Sequence, residues 1–475
     1  MDHSIDAAEL DGRPFFFCGI GGSGMLPLAQ IVHGLGYKVA GSDRSRDQGR
    51  TPEKFDWLEK AGFRLFEQDG SGITSPDQIL VASAAVEDTV PEVKRAAELG
   101  CLRMSRAELL STLFNKAGYS IAVAGTSGKS TVTGMIAWIL ASMGHDPTVM
   151  NGAVMKNFAG TDNPFASARM GGRDLFVSEV DESDGSIALY RPTIGVLLNV
   201  SLDHKSLEEL RALFGDYLRE SGCAVVNVDN YEAAHLAKKA SQLVSFGVSA
   251  AKADITVAPG SIEESALGIS ASVIDTRSGD EFTLNLPMPG QHNLSNALAA
   301  IAAVSAAGVS LKDAVDALGT FEGLARRFDV VGTTPGGISV IDDFGHNPEK
   351  CAATLRTLKA TSGRVLAFFQ PHGYGPLRQM GTELAETFAS ELGPDDITIM
   401  CDPVYFGGTV DRSQGSERII DLIRSAGGNA EHIAARDDCA DRIVELAKPG
   451  DRIVIMGARD DTLSAFARGV FERLE

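Results

Sequence analysis

The stretch that decides the fold is Ile121-Ala122-Val123-Ala124-Gly125-Thr126-Ser127-Gly128-Lys129-Ser130-Thr131-Val132-Thr133. Four small or β-branched apolar residues read as a buried strand. A glycine-flanked loop follows, and then Met135, Ile136, Trp138, Ile139 and Leu140 at helical spacing. A strand, a glycine loop and a helix in that order make an anion cradle. The glycines let backbone N–H groups turn toward a phosphate, and the helix N-terminus adds partial positive charge. Lys129 suits the outer phosphates and the Ser130 hydroxyl suits Mg²⁺. The full phosphate-loop pattern asks for a glycine where Val123 stands. Gly-Lys-Ser-Thr at a strand-to-helix corner is still hard to explain by packing, so Gly125–Thr131 is assigned as an ATP site.

Working toward the N-terminus, Phe15–Cys18 is a short apolar strand followed by Gly19-Ile20-Gly21-Gly22-Ser23-Gly24 and a helix. Asp43 ends the next strand about 20 residues on, where a ribose-binding acid falls in dinucleotide folds. Physically this is a diphosphate-sized anion site, which a uridine diphosphate sugar satisfies as well as NAD. Ser83 leaves the strand Ile79–Ala82 at the edge where such folds bind ligands.

Toward the C-terminus, the strand Leu175–Val177 runs into Glu179, Asp181, Glu182 and Asp184. Carboxylates so close repel unless cations neutralise them. Glu179 is the expected Mg²⁺ ligand, the other reading being a solvated acidic loop. Asp203-His204 follows the strand Ile194–Val200, which makes His204 either a second metal or substrate ligand or a structural loop histidine. Residues from about 253 to 286 alternate in short segments and predict antiparallel β structure. His292, Asn293 and Asn296 open an alanine-rich helix, to read a nucleobase edge or to cap it. Arg326-Arg327-Phe328 reads as a phosphate clamp or a surface ion pair. Beyond it, strands end in turn at Asp343–Pro348, Gln370–Tyr374, Cys401–Pro403 and Gly457–Arg459, the pattern of another doubly wound sheet.

The fold class is therefore α/β with three domains. Residues 1–112 form a Rossmann-like nucleotide-sugar domain, 113–328 a P-loop-type ATPase domain, and 329–475 a Rossmann-like domain for the incoming substrate. The 475 residues carry 43 basic and 63 acidic side chains, a net charge of −20, which argues against a nucleic-acid surface. Six scattered cysteines without a CxxC pair argue against a disulfide framework or zinc site and for a reducing cytoplasm. No signal peptide is expected, and no membrane-spanning run.

The order of these edges resembles the Mur ligase family, the ATP-dependent amide-forming ligases of cell wall precursors. The likeness rests on Gly19–Gly24 with Asp43, Gly125–Thr131, Glu179–Asp184, Asp203-His204, His292-Asn293 with Asn296, Arg326–Phe328, Asp343–Pro348 and Phe369–His372, and covers the whole chain. The first domain is similar to members acting on UDP-N-acetylmuramate itself. The resemblance implies that its lactyl carboxylate is activated by ATP as an acyl phosphate and captured by a small amine. L-Alanine is the first expectation for that amine, and the tripeptide L-alanyl-γ-D-glutamyl-meso-diaminopimelate of cell wall recycling is the alternative. A non-catalytic nucleotide-sugar sensor is the alternative of another class.

By the same resemblance Lys129, His204 and His346 are catalytic, and Ser130, Glu179 and His204 hold Mg²⁺. His292, Asn293, Asn296, Arg327 and Asp343 contact ATP. The sugar nucleotide and amine fall to Gly19, Gly21, Gly22, Ser23, Gly24, Asp43, Ser83, His372 and Arg378. The chain departs from the family at Ser127, where a histidine is usual, and at Gly373 and Pro376, where carboxylate-binding arginines are usual. Arg378 is the nearby substitute.

Overall fold

The computed structural model describes residue 10 and residues 12–83, 86–201, 205–404, 411–460 and 462–475. The chain divides into two compact units. One holds the chain up to residue 263 with 269–287 and 293–323, and the other holds 264–268, 288–292 and 324–475.

In the first unit, Phe15–Cys18 is the middle strand of a five-stranded parallel sheet. The order is Arg64–Phe66, Val39–Ser42, Phe15–Cys18, Ile79–Ala82, Leu102–Ser105. Side chains alternate across a strand, so Phe15 and Phe17 enter one core with Leu28 and Ile31, while Phe16 and Cys18 enter the other with Leu80 and Val93. The strand order reverses beside Phe15–Cys18, which puts the Gly19–Gly24 loop and Ser83 at the switch point. This sheet's domain is seated on the central one by Trp57. Its indole packs edge-on against Phe165 at 5.5 Å, and its N–H donates to the Asp162 carbonyl at 3.0 Å.

The central sheet places Tyr119–Ala124 between Ile194–Leu197 and Leu175–Glu179, all parallel. The antiparallel segments expected from residue 253 are present. Ile269–Asp275 and Asp280–Leu286 pair as a hairpin, and Ile255–Val257 joins the hairpin to the parallel strands through Phe246 and Ile255. They extend the edge of the central sheet rather than standing apart from it.

The second unit is a six-stranded sheet ordered Asp329–Thr333, Ser339–Asp343, Arg452–Gly457, Val365–Gln370, Ile397–Met400, Ala430–His432. Only the first strand is antiparallel. Phe368 and Phe369 point to opposite faces, each into its own core. No helix among the described residues is long and apolar enough to cross a membrane.

Candidate active site

The phosphate loop is built by strand ends on both sides. Gly125 (φ +137°) and Gly128 (φ +90°) take backbone conformations that side chains disfavour, and a Cβ at Gly128 would come within 2.6 Å of the Asn296 amide oxygen. From the strand on one side comes Asn199. It accepts from the Ser127 N–H at 2.9 Å, and its own amide donates to the Ser127 carbonyl at 3.0 Å. The helix Lys129–Ser142 starts at once, so its positive end faces the loop.

From the strand on the other side come the acids. Ser130 Oγ–H donates to Glu179 Oε2 at 2.6 Å, and buried Asn151 donates to the Ser130 carbonyl at 3.0 Å. Gly152 makes room for Glu179, since a Cβ there would lie 2.3 Å from Oε1. Lys129 Nζ donates to the Gly125 carbonyl at 2.7 Å and to Glu182 Oε2 at 2.8 Å. Asp184 lies 3.8 Å from Arg106. The expected neutralising cations are thus Lys129 and Arg106. Burial alone would raise Asp181, but the Ser183 N–H and the Lys129 and Arg106 charges outweigh it and hold the carboxyl below its usual range. The hydroxyl of Ser130 and the carboxylate of Glu179 are adjacent hard oxygen donors and fit a Mg²⁺ completed by phosphate oxygens. No group of three or more His, Cys, Asp and Glu poised for a metal occurs among the described residues. His204 lies outside them.

At the first sheet's edge, Gly22 and Ser23 are exposed ahead of the helix Met25–Gly34. Asp43 is not the free ribose acid its spacing suggests. Its two oxygens accept from the N–H groups of Gly21 and Ser45, each at 2.8 Å, pinning the glycine loop to the neighbouring strand. The Phe55 ring sits 2.9 Å from where a Gly21 Cβ would be, and the Arg106 side chain 3.1 Å from a Gly24 Cβ. A capping box of Ser105 and Glu108 starts the helix carrying Arg106 and so fixes its place. Arg106 therefore reaches both the glycine loop and the acidic segment.

In the second unit, Arg326 and Arg327 have different surroundings. Arg326 (φ +60°) is tied to Asp342 at 3.4 Å and to the carbonyls of Gly457 at 2.7 Å and Asp460 at 3.1 Å. Both guanidiniums also lie over the Phe344 ring, Arg326 at 5.1 Å and Arg327 at 4.4 Å. Asp343, expected at the nucleotide, is buried with its carboxylate accepting from the N–H groups of Phe328 and Gly345 and the hydroxyl of Thr354. His346 and His372 meet edge to face at 5.3 Å. His346 Nδ1 is 2.9 Å from the Phe344 carbonyl, which can only accept, so the neutral ring keeps its lone pair on Nε2. Burial, then the Lys350 charge, pushes His346 down to about 3. Burial, then Arg459 and Lys350, pushes His372 down to about 4. Both are neutral at pH 7. His292 is exposed at the start of the helix Gln291–Ala306, whereas Asn293 is buried and Asn296 borders the phosphate loop. Arg378 is exposed and paired with Asp411 at 3.2 Å.

Three family profiles cover nearly the whole chain. They are the Mur ligase family catalytic domain over residues 14–117, the Mur ligase middle domain over 123–304, and the Mur ligase glutamate ligase domain over 326–459. The UDP-N-acetylmuramate–L-alanine ligase of Brucella anthropi is 35% identical across 95% of both chains, and that of Cereibacter sphaeroides is 34% identical across 98% of both. The chain belongs to the Mur ligase family.

Among solved structures, this Mur ligase is similar to the UDP-N-acetylmuramate–alanine ligase of Thermotoga maritima. The TM-score is 0.80 at 27% identity, covering 97% of this chain and 99% of that one. It is less similar to a murein peptide ligase of Psychrobacter arcticus, with a TM-score of 0.69 at 26% identity over 98% of each. Asn199, Gly152, Glu182 and Arg106 border the candidate site of this Mur ligase, a placement that spacing in the sequence does not reveal. Only Glu182 carried a signal, as one of four crowded acids that needed a cation.

Proposed function

We propose that this Mur ligase joins the lactyl carboxylate of UDP-N-acetylmuramate to L-alanine, forming ADP and phosphate through an acyl phosphate, in peptidoglycan precursor synthesis in the cytoplasm. The observation that carries the reading is the phosphate loop flanked on one side by Ser130–Glu179 and Lys129–Glu182, in a chain whose relatives are L-alanine ligases.

Three anions must be brought together in such a reaction, so placed cations and dipoles supply most of the catalysis. The N-terminus of the Lys129–Ser142 helix and the Lys129 ammonium bind the outer phosphates of ATP. Ser130 and Glu179 hold Mg²⁺, with His204 proposed for a second ion; bound metal supplies charge neutralisation of phosphate oxygens. Asn293 and Asn296, with His292, address adenine, and Arg327 contacts the nucleotide. The Gly19–Gly24 loop, Ser83 and Arg106 receive the diphosphate sugar. Asp43 and Asp343 act by holding those loops in shape. The neutral His346 ring presents its Nε2 lone pair as a hydrogen-bond acceptor that orients the amine of the incoming amino acid for attack on the acyl phosphate.

One observation favours the tripeptide as acceptor. A Cβ at Gly373 would meet only Pro376 and one at Gly375 nothing within 4 Å, so this side is open enough for a longer amine. ADP release with UDP-N-acetylmuramate, ATP and Mg²⁺ separates the two. Turnover with L-alanine supports the proposal. Turnover with the tripeptide alone replaces it, and silence with both refutes a ligase acting on either.

A further inference from the structure

The strands Ser339–Asp343, Arg452–Gly457 and Val365–Gln370 lie side by side and parallel, so the loops leaving them share one edge. The middle loop, Gly457 to Asp460, is flanked by the His346 loop on one side and the His372 loop on the other. Arg459 stands in it at φ +60°, a conformation uncommon for a residue with a side chain. The loop is held from two directions. Arg326 donates to the carbonyls of Gly457 and Asp460. The Asp460 carboxylate accepts from Gln370 at 2.8 Å, Arg436 at 3.0 Å and the Thr462 N–H at 2.9 Å. Strain of this kind persists where the surroundings over-determine it, and it collects at ligand clamps.

The Arg459 side chain is exposed, and no ion pair or hydrogen bond occupies its guanidinium among the described residues. Its charge nevertheless bears on His372. Arg326 and Arg436 are used within the scaffold, and Arg378 is drawn to Asp411. The segment Pro371 to Pro376 offers no fixed cation of its own, since His372 is neutral at pH 7. An amino acid whose amine is presented to His346 brings a carboxylate that needs one.

We propose that Arg459 binds the carboxylate of the incoming amino acid and sets the preference for an acceptor carrying that charge. The proposal rests on the amino-acid ligase reading above. Its test is steady-state ADP release by the full-length protein and its Arg459→Gly and Arg459→Lys variants, with KM measured separately for L-alanine, ATP and UDP-N-acetylmuramate. Glycine takes φ +60° without strain, which offsets its greater unfolded-state freedom, so Arg459→Gly should melt within a few degrees of the parent. A lost charge-assisted contact should raise the KM for L-alanine about 10- to 100-fold. The KM values for ATP and the sugar nucleotide should stay within twofold, and Arg459→Lys should recover part of the loss. The parent should also prefer L-alanine over L-alaninamide, and Arg459→Gly should lose that preference. An unchanged L-alanine KM in Arg459→Gly overturns the assignment. A rise in the ATP KM instead makes Arg459 a phosphate contact, which also overturns it. No L-alanine-dependent ADP release by the parent refutes the acceptor reading, and with it this role for Arg459.

Discussion

Gly152→Ala tests whether Glu179 works from its position against Ser130. A Cβ at residue 152 would lie 2.3 Å from Glu179 Oε1, 3.1 Å from its carboxyl carbon and 3.3 Å from Oε2. The clash is with the tip of a flexible side chain, not with backbone. Gly152 is not among the glycines of positive φ, so alanine fits the chain there. The fold should therefore survive, and fewer unfolded-state conformations should leave stability unchanged or raised by about 0.4–1 kcal/mol. The carboxylate must withdraw by roughly 1 Å, and a displacement of that size at a reacting centre costs about 10²-fold in rate. It also separates the two oxygens, Ser130 Oγ and Glu179 Oε2, that now stand 2.6 Å apart. The assay is ADP release against Mg²⁺ concentration, with thermal melting as the control. The expected result is kcat down about 100-fold, half-saturation moved to higher Mg²⁺, and a melting temperature unchanged or slightly raised. A variant within twofold of the parent, with the same Mg²⁺ dependence, would refute the role given to Glu179. A large fall in melting temperature would refute the claim that only the carboxylate moves.

Asn199→Ala removes both side-chain bonds to Ser127 and loosens the loop; the ATP KM should rise about tenfold, and equal KM values would show that the loop holds its shape without them. Arg326→Ala leaves Asp342 buried without its cation and frees the Gly457 and Asp460 carbonyls, so denaturant unfolding of the second unit should show a loss of about 3 kcal/mol; a loss below about 1 kcal/mol, the range of exposed pairs, would make the contact incidental. Acid sensitivity follows from His346 and His372, whose folded pKa values, about 3 and about 4, lie below the ordinary value of 6.5. The unfolded chain takes up these protons first, so their contribution is intact above pH 6.5, is lost as pH falls toward 4, and levels off below the folded values. His346→Gln should therefore melt with a shallower pH slope than the parent between pH 6.5 and 4, and parallel slopes would show that His346 is not held neutral by the fold.

Much of this was legible because the residues involved have few other uses. Gly125, Gly128, Lys129 and Ser130 read as a glycine loop from strand to helix, which is where the fold puts them, and Phe15 to Cys18 reads as a strand buried on both faces. The sequence could not say which polar groups at a strand end remain available. Asp43 and Asp343 have the spacing and type of ligands, yet each is filled by N–H groups of its own loop. Arg326 and Arg327 are equivalent in one dimension. A positive φ and three acceptors make the first a tie within the scaffold, while the contact with Phe344 is common to both. Asn199 reads as the tail of an apolar strand, and nothing in its spacing reveals that Ser127 will stand beside it. Availability is decided by neighbours distant in the chain, and periodicity carries no information about them.

The distribution of charge explains how a chain of net charge −20 handles anionic substrates. In the first unit each acid next to the phosphate loop has a partner: Glu182 has Lys129, Asp184 has Arg106, Glu179 has the hydroxyl of Ser130, and Asp181 has the Ser183 N–H. The negative charge held there is local and partnered, so it orients Lys129 without cancelling the dipole of the helix behind it. In the second unit Lys350, Arg327 and Arg459 act on two half-buried imidazoles, and their charges add to desolvation in keeping the rings neutral. Those cations favour an arriving carboxylate or phosphate, and charge beside His346 helps keep its Nε2 unprotonated and able to accept a hydrogen bond. Anion attraction and the neutrality of the two rings therefore have one electrostatic cause. Any variant that removes one of these cations should weaken the anion and raise the histidine pKa together.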